Sequence, residues 1–93
     1  MKIEFDSAKS EKNARERGLP FEMVDLFDWS AAQAEDDTRH PYPEHRVIAT
    51  SFLGNRLHVV CFTPIEGGVR VISFRKANKR EIRKYEKEKT ADR

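Results

Sequence analysis

Cationic side chains crowd residues 69–86, VRVISFRKANKREIRKYE, where an apolar strand pattern passes almost directly into a helical one. Arg75 and Lys76 close the strand pattern and Arg80 follows about one helical turn later, so several cations can converge on a single phosphate. The planar fork of arginine suits such a group bidentately. The same stretch also reads as a solvated helix face whose basic residues complement the helix dipole near its C-terminus. A second candidate is residues 39–46, RHPYPEHR, where His40, Tyr42, Glu44, His45 and Arg46 can take up, donate or steady a proton or a charge. Histidine titrates near neutral pH, and the flanking prolines limit how far these groups wander. The competing reading is a polar surface loop in which Arg46 pairs with Glu44 or with the acidic triplet Glu35, Asp36 and Asp37. That triplet is read first as internal neutralisation of the basic stripe. A metal site from His40, His45 and Asp36 or Asp37 matches no recognised ligand spacing, so no metal and no cofactor is expected.

Net charge is +2 over 93 residues, but the distribution is lopsided. Residues 1–68 hold 8 Lys and Arg against 12 Asp and Glu, whereas residues 69–93 hold 10 against 4. A field concentrated on one face follows, and a polyanion or an acidic protein is its natural partner. The length suits one domain, taken as residues 1–93. Cys61 is the lone cysteine and cannot form an internal disulfide. No charged leader followed by an apolar run opens the chain, so a reducing cytoplasm is the expected location. The longest apolar run, LHVVCFT, is of strand length, far short of the ~20 residues of a membrane span.

These residues need a scaffold, and the pattern supplies one. KIEF alternates as a short strand, Asp6 or Ser7 caps a helix over AKSEKNARER, and Gly18 stops it. Its apolar face is poor, which predicts a surface helix. Pro20 opens a second helix over FEMVDLFDW, with Phe21, Met23, Val24 and Phe27 at spacings of three and four. A short strand around residues 32–35 precedes the loop fixed by Pro41 and Pro43. RVIATSFL and RLHVVCFT form an antiparallel hairpin through Gly54-Asn55, with Gly54 taking the positive φ of a type II′ turn. Glu66-Gly67-Gly68 then returns the chain into VRVISF, completing a meander whose middle strand is apolar on both faces and therefore covered by helices. Asn78 and Glu81 have the spacing of reciprocal capping for a last helix over about residues 79–87. Ile82 and Tyr85 dock that helix, while Lys76, Arg80, Arg83 or Lys84, and Lys87 line a separate basic stripe, and the tail from Glu88 is expected to fray. Cys61, His58 and Trp29 are read as structural.

The arrangement of an opening strand with FDxAK, a charged helix closing in RG, EDDxRH, Y-x-E-x-R and the terminal ISFRKANKREIRKYE resembles the BrnT family of type II toxin-antitoxin systems. The terminal segment is its most distinctive part. The resemblance implies an α+β, RelE-like fold, a small antiparallel sheet flanked by two N-terminal helices and one C-terminal helix. It implies a metal-independent endoribonuclease that is cytoplasmic and neutralised by a BrnA-like antitoxin, with DNA touched only through that antitoxin. By position, Arg46 and Arg75 are the leading phosphate-stabilising residues, supported by Arg80, with Glu44 or His40 as base and Tyr85 either packing or orienting. Lys76, Lys79, Arg83 and Lys84 would hold the RNA. Phe5, Ser7, Arg17 and Pro43 depart from the family pattern, which leaves a second reading open: a nucleic-acid-binding or regulatory module that keeps the fold without the chemistry.

Overall fold

A computed structural model describes residues 1–91 of the chain. Five strands form one mixed sheet in the order β1-β5-β4-β3-β2. They are β1 (Lys2–Glu4), β2 (Gln33–Asp36), β3 (Val47–Leu53), β4 (Arg56–Ile65) and β5 (Gly68–Lys76), accompanied by helices α1 (Ser7–Arg17) and α2 (Lys79–Ala91). The class is α+β, but the sheet is not wholly antiparallel as the sequence suggested. The opening strand β1 runs parallel to β5, pairing Lys2 with Gly68 and Glu4 with Arg70. Gly68 is required there, because a Cβ would collide with the Lys2 carbonyl.

The hairpin forms as expected, with Leu53 opposite Arg56 and Gly54 at φ 65°. The expected strand near residues 32–35 is β2, an edge strand one residue further on. In contrast, the second helix is not α-helical. Phe21–Leu26 and Trp29–Ala31 are 3₁₀ segments, held by Met23 N–H to Pro20 C=O at 3.0 Å and Phe27 N–H to Val24 C=O at 3.1 Å. Phe21, Val24 and Phe27 recur every three residues, and a helix of three residues per turn aligns all of them on one face. All three are buried, whereas Leu26 is exposed. Helix α1 begins at Asp6, whose carboxylate accepts from Lys9 N–H at 3.1 Å, and ends at Gly18 with φ 70°. It buries only Ser10, consistent with its poor apolar face.

Both faces of β4 are covered, but unequally. The main core gathers Phe21, Val24, Phe27, Val47, Ala49, Val60, Phe62, Val69, Val71 and Phe74. On the other face a smaller cluster of Leu57, Val59, Ala77 and Tyr85 is closed by α2, with Ile48, Phe52 and Ile82 at its margin. Helix α2 runs on to Ala91 without fraying at Glu88, and residues 92–93 lie outside the described residues. Because α2 covers only part of that second face, the remainder is open.

One irregularity decides what points into the opening. Cys61 pairs with Ser73 and Phe62 pairs with Val71, leaving Ile72 as an extra residue in β5. Side chains alternate along a strand, so Val69 and Val71 would otherwise share their face with Ser73 and Arg75. The bulge reverses the phase. Val69, Val71 and Phe74 all reach the main core, while Arg75 turns to the open face alongside Val59 and Cys61.

Candidate active site

The open half of the second face is a cleft of about 510 Å³. Its floor is sheet: Ile48 and Thr50 from β3, Val59 and Cys61 from β4, and Ser73 from β5. Cations reach it from four parts of the chain, namely Arg17 at the end of α1, Arg39 from the loop after β2, Arg75 from β5, and Arg80 and Lys84 from α2. Glu35, Glu81 and Glu88 are the acids on its walls, and the first two pair with Lys84 and Arg75.

Arg75 is held rigidly. Its Nη1 and Nη2 donate to the two carboxylate oxygens of Glu81 at 2.8 and 2.9 Å, a bidentate fork. Glu81 is in turn fixed by the helix start, since its Oε1 accepts from Asn78 N–H at 2.9 Å and its own N–H donates to Asn78 Oδ1 at 2.8 Å. The reciprocal cap expected from sequence therefore also aims a guanidinium. The Arg75 bonds, ahead of the Asn78 amide, hold the Glu81 carboxyl below its ordinary pKa.

Arg39 has a comparable mount. Its Nε and Nη2 donate to Asp37 Oδ1 and Oδ2, each at 2.8 Å, and its backbone N–H donates to Oδ1 at 3.2 Å. The Asp37 side chain is 0% exposed and that of Arg39 66% exposed, so a shielded carboxylate presents a solvent-facing guanidinium. The Arg39 bonds depress the Asp37 pKa to about 2, with a lesser contribution from the Tyr42 hydroxyl. Sequence reading passed over Arg39. The available signal was an arginine two residues after an aspartate in EDDTRH, a local pairing distance that had no visible link to the distant cations.

Of the sequence candidates, Arg75, Arg80, Lys84 and Tyr85 meet at this cleft. Tyr85 is buried and its hydroxyl donates to Ala31 C=O at 2.8 Å, so it packs and anchors α2. Lys84 Nζ lies 3.1 Å from Glu35 Oε1, among the described residues the one pair in which the acidic triplet meets the basic stripe. Lys76, Lys79 and Arg83 are not among the lining residues. Arg46, Glu44 and His40 instead line an adjoining concavity of about 490 Å³. Arg46 Nε donates to Glu44 Oε1 at 2.7 Å and its guanidinium lies 3.9 Å over the Tyr42 ring. His45 and Asp36 are engaged with each other at 2.7 Å. No three of the described His, Cys, Asp and Glu residues gather in a metal-ligand arrangement.

Arg39 lines both concavities and joins them. Cys61 sits below, its thiol pushed up by burial and by Asp37, and pulled back by Arg46, Arg39 and Arg75 in that order. Arg46 and Arg75 thus belong to one face and one field, although not to one pocket. Nor is Cys61 poised for attack, because burial favours the inert thiol.

This convergence of guanidinium groups bears on identity. A family model described as the ribonuclease toxin, BrnT, of type II toxin-antitoxin systems matches residues 5–81. The chain belongs to the BrnT family. It is thereby a ribonuclease toxin by class, and the type II arrangement implies an antitoxin partner. The matched span takes in Arg17, Arg39, Arg75, Arg80 and Glu81, and stops before Lys84. No curated protein and no solved structure matches the chain. Among the described residues, no helix is long and apolar enough to cross a membrane.

Proposed function

We propose that the cleft cleaves RNA endonucleolytically, in the RelE-like manner, by attack of a ribose 2′-hydroxyl on the adjacent phosphorus. The observation that carries this reading is the pair of preoriented guanidinium groups, Arg75 on Glu81 and Arg39 on Asp37, at one cleft with Arg80 and Arg17. As the 2′-oxygen bonds to phosphorus, negative charge grows on the equatorial oxygens. Arginines already fixed in place stabilise that charge without reorganising. The bond from phosphorus to the 5′-oxygen then breaks, leaving a 2′,3′-cyclic phosphate and, once the leaving oxygen is protonated, a 5′-hydroxyl.

For the proton acceptor the geometry favours Glu35 over Glu44 and His40. Glu35 lines the same cleft as Arg75, whereas Glu44 and His40 both face the adjoining concavity. A BrnA-like antitoxin would silence the toxin by covering these charges.

The test is incubation of purified protein with RNA in EDTA, followed by end-group analysis. Fragments ending in cyclic phosphate are expected, and Arg75→Ala or Arg39→Ala should each lower the rate about 10²- to 10³-fold, as for loss of one oxyanion donor. Removing an acid-base group typically costs 10²- to 10⁴-fold, so Glu35→Gln should fall at least about 10²-fold while Glu44→Gln falls less. Salt-sensitive RNA binding with no scission in the wild type would favour the non-catalytic module instead.

A further inference from the structure

The adjoining concavity differs from the cleft in kind. Apart from Arg39, which faces the cleft as well, its charged groups pair among themselves: Arg46 with Glu44, and Asp36 with the His45 ring. A lobe so neutralised is a poor phosphate site. What it offers is flat surface, since the Arg46 guanidinium lies 3.9 Å over the Tyr42 ring and His40 meets that ring edge-on at 5.6 Å. Flat uncharged groups stack on guanidinium and aromatic planes, and single-stranded RNA exposes such groups as its bases.

We propose that residues 37–46 form a nucleobase-recognition lobe, in which a base next to the scissile phosphate stacks on Arg46 and continues the Tyr42–Arg46 stack. The inference rests on the RNA reading of the cleft and adds to it a source of substrate preference. Arg39 lines both spaces, so a phosphate held at Arg39 places its neighbouring nucleotide at the lobe. The lobe is preformed. The shielded Asp37 carboxylate ties down Arg39, the Arg46 guanidinium packs on the Tyr42 ring, and Pro41 and Pro43 restrict the backbone on either side of Tyr42. Glu44 and His40 at the same concavity supply hydrogen-bonding groups for a base edge.

The experiment measures binding of a short RNA made uncleavable by a 2′-deoxy residue at the cleavage site. The intact oligonucleotide is compared with versions carrying an abasic residue on either side of that site. Wild-type protein should bind the intact form about ten-fold more tightly than one of the abasic forms, within the range of one base stack. Arg46→Lys keeps the charge and loses the plane. It should erase most of that preference while binding the abasic form as the wild type does, with folding verified by circular dichroism. Equal wild-type affinity for intact and abasic RNA would overturn the lobe, as would an Arg46→Lys loss of equal size on both. If cleavage persists in that case, the lobe alone falls. If the wild type binds no oligonucleotide at all, the RNA reading falls with it.

Discussion

Asp37 is the residue on which the site's geometry most depends, and it touches no expected substrate atom. Its carboxylate is shielded, accepts both Arg39 nitrogens at 2.8 Å, and titrates at about 2, against an ordinary value of 3.8. A carboxyl whose pKa is lower in the folded state stabilises the fold above its unfolded pKa. That contribution is complete above about pH 4 and disappears as pH falls toward 2. Urea unfolding of wild type and Asp37→Asn, measured stepwise from pH 6 to pH 2, should therefore show a stability gap that is constant down to about pH 4 and narrows below it. The subtraction removes the other depressed carboxyls, Glu4, Asp28 and Glu81, which both proteins share. A gap that does not change with pH would mean that Asp37 acts through shape and not through charge. Asp37 and Arg39 were invisible as a unit in the sequence because two adjacent acids and a nearby arginine are equally common on a solvated loop.

At the scale of elements, legibility followed locality. The Gly54-Asn55 hairpin, the Gly18 helix stop and the Asn78–Glu81 cap were all readable, since each is decided by residues within one turn of chain. The parallel pairing of β1 with β5 was not, because its partners lie 66 residues apart and a three-residue strand carries no mark of its neighbour. The bulge left a trace that went unread: Val69 and Val71 keep period two, and Phe74 breaks it. The cap also permits separation of folding from function. Asn78→Ala removes the side-chain acceptor for Glu81 N–H and leaves the Arg75 fork in place. It should cost about 1 kcal/mol of stability, as N-cap losses do, with cleavage retained. Glu81→Gln keeps the side chain's length but surrenders the bidentate carboxylate. Its kcat should fall by more than ten-fold for a comparable loss of stability, each read from urea unfolding beside single-turnover cleavage. Equal kinetic losses in the two variants would show that Glu81 serves the helix alone.

Over the whole molecule, the basic last quarter of the sequence does not act as one patch. The fold turns Arg75, Arg80 and Lys84 toward the cleft and brings Arg17 and Arg39 to them from the acidic remainder, while Lys76, Lys79 and Arg83 fall outside the lining. Counting basic residues in the sequence therefore misjudges the number of phosphates engaged. Arg75, Arg39 and Lys84 each face an acid, whereas Arg17 and Arg80 make no ion pair among the described residues. For single-stranded nucleic acid, log K falls with log salt by about 0.7 per phosphate neutralised. A site engaging three to five phosphates thus gives a slope between about −2 and −3.5, well short of what ten basic residues in the last quarter would produce. Titration of an uncleavable RNA across a range of salt concentrations would measure it. Arg80→Ala should flatten the slope by about 0.7, the full contribution of a cation with no acid to release. Arg83→Ala, one position that shares the helix but not the cleft, should leave the slope unchanged. If the two variants flatten it equally, RNA lies along the outer face of α2, and the cleft loses its claim to the scissile phosphate.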